Sequence, residues 1–267
     1  TYYLKTSRTN IALYEVQNML KEAQEEDDKT GLSRCYNIMS QIYTIKRFDS
    51  MAFEWRLKEI ELTEKYKIEN YNISQTYAQI ANYYINQKKQ KEALAAVEKA
   101  IATANSSTQQ ISAKLEFVNY YSKFGDFQAA EKLLKECQAA FEQDKRLESI
   151  KKRLYNIECL YYQQTKQYPK ALEAAKMQEK EERRLSESIL SSSHYRTQGE
   201  IYQKMGNMNL AVKYLQMYIN TDDSLKIANE QVASSEFATL LNVEKLNAEK
   251  KELMLQAQEK ELHNKTT

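Results

Sequence analysis

An all-α array of helical hairpins is the fold class predicted by this 267-residue sequence. Three observations predict it. Backbone breakers are scarce: there are 4 Gly and 1 Pro, where average usage would supply about 30. Sheets and loop-rich α/β enzymes need those residues for turns with positive φ, bulges and phosphate loops. Tyr is in excess, at 20 residues. A Tyr followed nine residues later by Ala also recurs periodically, at Tyr3/Ala12, Tyr43/Ala52, Tyr84/Ala93, Tyr121/Ala130, Tyr162/Ala171 and Tyr202/Ala211. Successive Tyr lie 40, 41, 37, 41 and 40 residues apart, and chance does not give six copies at so steady a period.

Each Tyr/Ala pair reads as a helical hairpin. A first helical stretch ends near the Tyr, four or five polar residues follow, and a second stretch runs through the Ala. The small Ala lets the second helix approach closely while the ring fills the space beside it. In chain order, Ala12 belongs to a second helix, and Tyr36, Ser40 and Tyr43 lead into the one carrying Ala52. Tyr77, Ala81 and Tyr84 precede a stretch with Leu94, Val97, Ala100 and Ile101 at helical spacing. Thr103 to Thr108 is turn-like and separates two repeats. Tyr121 is followed by the turn Lys123-Phe124-Gly125-Asp126-Phe127, then by Leu133, Leu134 and Cys137. Tyr155, Cys159 and Tyr162 precede a second helix opened by Pro169. The last hairpin turns at Lys204-Met205-Gly206-Asn207-Met208, where Gly206, like Gly125, stands at the place of a left-handed helix stop. From Ala238 to Thr267 there is no Gly, Pro or aromatic residue, and Leu246/Leu253 and Leu241/Leu255/Leu262 form two offset rows. That stretch reads as one long exposed helix with a weak heptad seam. The competing reading, strongest over residues 221–240, is a capping helix folded on the last repeat.

The same counts exclude several functions. No run approaches the roughly 18 apolar residues of a membrane helix. With 39 basic against 37 acidic residues and a net charge of +2, no stripe suits nucleic acid. Cys35, Cys137 and Cys159 are far apart with no CxxC pair, which is neither a disulfide framework nor a zinc site, and they read as core thiols. Two His, at 194 and 263, leave little for metal or acid–base chemistry. His194 follows Ser191, Ser192 and Ser193, a run that helix capping explains better than nucleophilic catalysis. No catalytic residue, metal or cofactor is expected.

These repeats resemble the tetratricopeptide repeat (TPR) family. The fullest copy is Tyr195, Gly199, Tyr202, Gly206, Ala211 and Leu215; others are Tyr77, Ala81, Tyr84, Ala93, Val97, Ala100 and Tyr155, Cys159, Tyr162, Tyr168, Ala171, Ala175. The resemblance implies a right-handed α-solenoid. It covers about residues 1–220, a partial first repeat plus about five repeats, with 221–267 as the long C-terminal helix. Two departures stand out: the closing Pro of each repeat is missing, and the period is near 40 rather than 34, which implies longer helices. The opening at Tyr2-Tyr3 reads as a truncated or processed start.

In a TPR array the first helices line a concave face. Projecting the motif places Asn37, Asn82, Asn119 and Asn156 in a column there, flanked by Arg34, Gln41, Gln75, Arg153, Gln163, Arg196 and Glu200. Asn offers donor and acceptor to an extended peptide backbone, and Arg clamps carboxylates. A solvated polar face is the competing reading. The array followed by Asp223-Ser224-Leu225 and a Glu/Lys/Leu-rich helix also resembles the TPR regions of Bacteroidetes sensor histidine kinases and related regulators. That likeness implies a protein or peptide ligand, an extracytoplasmic array, a membrane span beyond this segment, and an output domain joined through the helix. The alternative is a cytosolic TPR adaptor or peptide-responsive regulator that forms a homodimer through residues 240–262.

Overall fold

The computed structural model describes residues 8–185 and 192–266; Tyr3 and Ser191 lie outside them. The described residues form eleven α-helices and no strand. Helix α1 (Thr9–Glu25) precedes five hairpins: α2 (Lys29–Ile45) with α3 (Asp49–Tyr66), α4 (Ile73–Asn86) with α5 (Gln90–Ala102), α6 (Ser107–Phe124) with α7 (Phe127–Gln143), α8 (Lys151–Gln164) with α9 (Tyr168–Leu185), and α10 (Ser193–Lys204) with α11 (Met208–Thr266).

The Tyr of each pair closes its hairpin through its backbone. The carbonyls of Tyr43, Tyr84, Tyr121, Tyr162 and Tyr202 accept the amides of Phe48, Lys89, Asp126, Gln167 and Asn207 at 2.8 to 3.0 Å. This bond, from the residue five positions on, is the Schellman closure of a helix end, and it needs a left-handed residue just before the donor. That residue is Gly125 (φ 91°) or Gly206 (φ 78°) in two hairpins, but Arg47 (φ 61°), Lys88 (φ 57°) and Lys166 (φ 59°) in the others. Polar side chains reinforce several helix starts: Asp28, Ser106 and Asp126 accept the amides of Gly31, Gln109 and Ala129. The Ala of each pair meets its first helix with no exposed surface at Ala52, Ala93, Ala130 and Ala171, and 2% at Ala211.

Apolar burial runs along the array in successive clusters, each shared only by neighbouring helices, as expected of a solenoid. One joins α1 and α2 around Val16, Met39 and Ile42. The next spans α3 to α6 around Ile80, Ile85 and Val97, another α6 to α8 around Leu115, Leu134 and Ile157, and the last α8 to α11 around Ala171, Ile201 and Tyr202. The extra length of the repeat is not all helix. Part lies in connectors at residues 67–72 and 103–106 and in a 3-10 turn, Lys145–Ile150, while the helices from α1 to α10 run 12 to 18 residues.

Helix α11 begins as the second helix of the last hairpin and continues unbroken, so residues 220 and 221 fall inside one helix. It packs on α10 and also returns to α1. There the carboxylate of Glu236, 3% exposed, accepts the amide of Asn10 at 3.2 Å, its Nδ2 at 2.7 Å and the amide of Ile11 at 3.4 Å. Arg8, at the N-cap of α1, makes no side-chain cap bond, so Glu236 supplies the cap across 226 residues of chain. Farther on, Leu241, Leu246, Leu253, Met254 and Leu255 are all more than half exposed.

Candidate functional groove

The first helices α4, α6 and α8 pack on one another in succession, and their shared face carries two adjoining depressions. The larger, about 480 Å³, is lined by Gln75 of α4, Gln109 and Ser112 of α6, and Lys152, Arg153 and Asn156 of α8, with Gln178 of α9 at its edge. The smaller, about 210 Å³, is lined by Asn82 and Asn86 of α4, Asn119 and Lys123 of α6, and Asn156 and Gln164 of α8. Asn156 belongs to both, so the two form one groove across three repeats.

The buried carboxylate of Glu116 joins residues of both depressions, and a second buried carboxylate, Glu59, lies apart at the cavity beside α2 and α3. Glu116, 3% exposed, accepts Arg153 Nη2 at 2.6 Å and the Nδ2 groups of Asn82 and Asn119, each at 3.4 Å. Glu59 in α3, 1% exposed, accepts Asn37 Nδ2 at 3.1 Å, Asn70 Nδ2 at 2.8 Å and the Thr76 hydroxyl at 3.4 Å. Burial pushes the Glu59 carboxyl up; the three donors and Arg56 oppose that shift without cancelling it.

This geometry corrects the expected Asn column. Asn37, Asn82 and Asn119 direct their amide donors at buried carboxylates, and Asn119 is itself only 7% exposed. A buried carboxylate must be hydrogen-bonded, so these three amides are structural partners first. The Asn156 side chain forms no hydrogen bond among the described residues and lines both depressions. Gln75 is exposed at the larger one. The groove therefore brings together Gln75, Asn82, Asn119, Arg153 and Asn156.

The remaining candidates lie elsewhere. Arg34 and Asn37 line a separate cavity of about 930 Å³ between α2, α3 and the 67–72 connector. Gln41 is exposed and donates to Asn37 Oδ1 at 2.5 Å. Gln163 reaches Cys159 Sγ at 3.4 Å and accepts Lys204 Nζ at 3.4 Å. Arg196 pairs with Glu200 at 3.7 Å on the exposed face of α10.

Sequence reasoning missed Glu59 and Glu116. In hindsight, Glu116 shares a helical stripe with Ser112 and Asn119 at i−4 and i+3, a polar row beside an apolar one; Glu59 gave no such signal. It also passed over Lys123 and Lys152. A further polar chain leads away from the groove: Lys152 Nζ meets Glu182 Oε2 at 2.8 Å, which meets His194 Nε2 at 2.5 Å. Burial pushes Glu182 up, but Lys152 and His194 outweigh it and hold the carboxyl below its ordinary value. Two residues from His194, the Ser192 hydroxyl donates to Asp222 of α11 at 2.8 Å, so Ser192 makes no cap bond. Burial pushes the Cys137 and Cys159 thiols up to about 11. The described residues hold no group of three metal-ligating side chains and no helix long and apolar enough to cross a membrane.

Stacked hairpins closed by a Tyr carbonyl and an Ala contact define a TPR-like helical solenoid, and the solved structures agree. The chain is similar to NprR in complex with its cognate peptide NprX, with a TM-score of 0.58 and 13% identity, over 82% of this chain and 65% of that one. It is similar to Cut9 in the APC/C hetero-tetramer Cut9-Hcn1 at 0.58 and 12%, over 88% of this chain and 41% of that one. A third is PilW, a widely conserved type IV pilus biogenesis factor, at 0.52 and 18%, over 82% and 89%. The chain thus spans less than two thirds of the NprR and Cut9 chains. No family model matches the sequence, and no curated protein matches it. This chain has the TPR-like fold.

Proposed function

We propose that this chain is a non-catalytic protein- or peptide-binding array, the sensory region of a membrane-bound bacterial signalling protein whose output is reached through α11. The observation that carries the reading is the polar groove across α4, α6 and α8 in a molecule whose exit helix is tied to both ends of the array. Glu236 fastens that helix to α1, and Ser192 fastens it to the start of α10. A ligand that changes the spacing of the central repeats acts on a helix anchored on either side of them, and the Lys152–Glu182–His194 chain gives a direct route from the groove. Repeat arrays bend by small rotations at each interface, so such a change accumulates along the helix. The fold shared with peptide-bound NprR supports a peptide ligand. The array is proposed to be extracytoplasmic.

A second reading, a cytosolic adaptor or peptide-responsive regulator dimerising through α11, is favoured by the exposed row Leu241, Leu246, Leu253 and Leu255. Two experiments separate the possibilities. Replacing Gln75 and Asn156 by Ala removes two groove side chains that do not serve Glu116, and should abolish partner binding with helicity intact. Wild-type binding by that variant would refute the groove. Flanking coding sequence with a leader upstream and an apolar span downstream supports the membrane reading, and hydrophilic sequence on both sides overturns it.

A further inference from the structure

The two depressions of the groove differ in charge from the rest of the molecule. The protein has 37 Asp and Glu residues, yet the described residues lining these depressions include no carboxylate and three cations: Lys123, Lys152 and Arg153. The other lining residues are neutral, among them Gln75, Gln109, Ser112 and Asn156, while the carboxylates of Glu116 and Glu182 hold Arg153 and Lys152 from outside the lining. The large cavity against α2 and α3, by contrast, mixes Lys29, Arg34 and Lys67 with Glu59 and Glu69.

The cations also keep binding capacity. Lys123 forms no ion pair among the described residues. Arg153 engages Glu116 through Nη2 alone, and its Nε is the single buried side-chain nitrogen or oxygen without a hydrogen-bond partner among the described residues. A guanidinium presents its donors as a planar fork suited to a carboxylate, and here part of that fork is unmatched. Lys152 is paired with Glu182 but remains 40% exposed at the groove, so it can turn to a second carboxylate.

We infer that this groove takes an extended peptide segment bearing carboxylates, with Lys123, Lys152 and Arg153 meeting the acidic groups and Gln75 and Asn156 the peptide backbone. The assignment rests on the groove being the binding surface and names the class of segment it accepts. The spread of the cations over α6 and α8 favours a segment with acidic side chains over one with a single terminal carboxylate.

Four fluorescent peptides with an alternating Ala backbone test this on the full chain. They are Ala-Glu with an amidated end, Ala-Gln with a free carboxyl end, Ala-Gln amidated and Ala-Lys amidated; a short single-stranded oligonucleotide is the fifth probe. The Ala-Glu peptide should bind about tenfold or more tightly than amidated Ala-Gln, more weakly as salt is raised. Lys152→Gln should weaken it about tenfold, and Arg153→Gln at least as much. If Arg153→Gln unfolds because Glu116 is stranded, Lys152→Gln carries the test, since that side chain is half in solvent. Free-ended Ala-Gln binding as tightly as Ala-Glu moves the assignment from side chains to the chain terminus and overturns it as stated. Equal affinity for Ala-Glu and amidated Ala-Gln, with both weakened by Gln75→Ala, overturns the charge assignment while the groove reading survives. Tighter binding of the oligonucleotide, or saturation by none of the peptides, also overturns it.

Discussion

Replacing Glu236 by Ala should release the exit helix from the first helix of the array. The buried carboxylate is the only cap that α1 receives from a described side chain, and it holds two backbone amides and Asn10 Nδ2. Loss of a helix cap costs about 1 kcal/mol, removal of the negative charge from the helix N-terminus about 0.5 kcal/mol, and loss of the 2.7 Å side-chain bond about 1 kcal/mol. The sum is about 2.5 kcal/mol, equivalent to roughly 70-fold in the opening equilibrium. The apolar clusters of the array involve α11 only near its start, so the change should appear as local opening rather than global unfolding. Native-state hydrogen exchange reads it directly. The amides of Asn10 and Ile11, and those of α11 around Glu236, should lose about 70-fold in protection in Glu236→Ala, and less in Glu236→Gln, which keeps the shape but not the charge. Unchanged protection at Asn10 and Ile11 would refute the docking.

The turns make a paired prediction. Lys88→Gly and Lys166→Gly relieve a left-handed side-chain residue and should each stabilise the fold by about 0.5–1 kcal/mol. Gly125→Ala, where a Cβ would meet nothing within 4 Å, should cost about 1 kcal/mol from backbone strain alone; all three are measured by urea unfolding. The thiols of Cys137 and Cys159, with pKa values near 11 and at most 2% exposure, should resist Ellman's reagent in the folded chain and react at once when it is unfolded. Because burial raises Glu59 in the folded state, the unfolded chain loses its proton first as pH rises. Stability from this group is therefore greatest below the ordinary carboxylate range and falls as pH climbs through the raised folded value. Glu59→Gln should flatten that part of the stability–pH curve, and an unchanged slope would contradict the shift.

The hairpins were legible because their signals are local. Tyr at the helix end and Ala nine residues on fix a turn geometry and a close contact that any copy of the repeat must reproduce. Three left-handed stops escaped notice because Arg47, Lys88 and Lys166 fill positions that composition associates with Gly; the hydrogen bonds that hold them come from backbone and leave no mark in residue type. The groove was half legible. Its helices and its Asn positions follow from repeat register, but what an Asn does there depends on a partner elsewhere in the chain. Glu59 answers Asn37 from the other helix of the hairpin, and Glu116 answers Asn82 and Arg153 from neighbouring repeats. Glu236 answers α1 from the far end of the chain. No periodic pattern reports a contact of that span.

The central claim is that α11 reports occupancy of the groove. Spin labels replacing Lys21 on α1 and Lys245 on α11, each 77% exposed, measure the distance between the first helix and the exit helix. The native thiols, being buried, do not compete for the label. Saturation with the Ala-Glu peptide should shift the distance distribution between the two labels, and the Gln75→Ala, Asn156→Ala variant should show no such shift. An identical distribution with and without bound peptide would contradict the account.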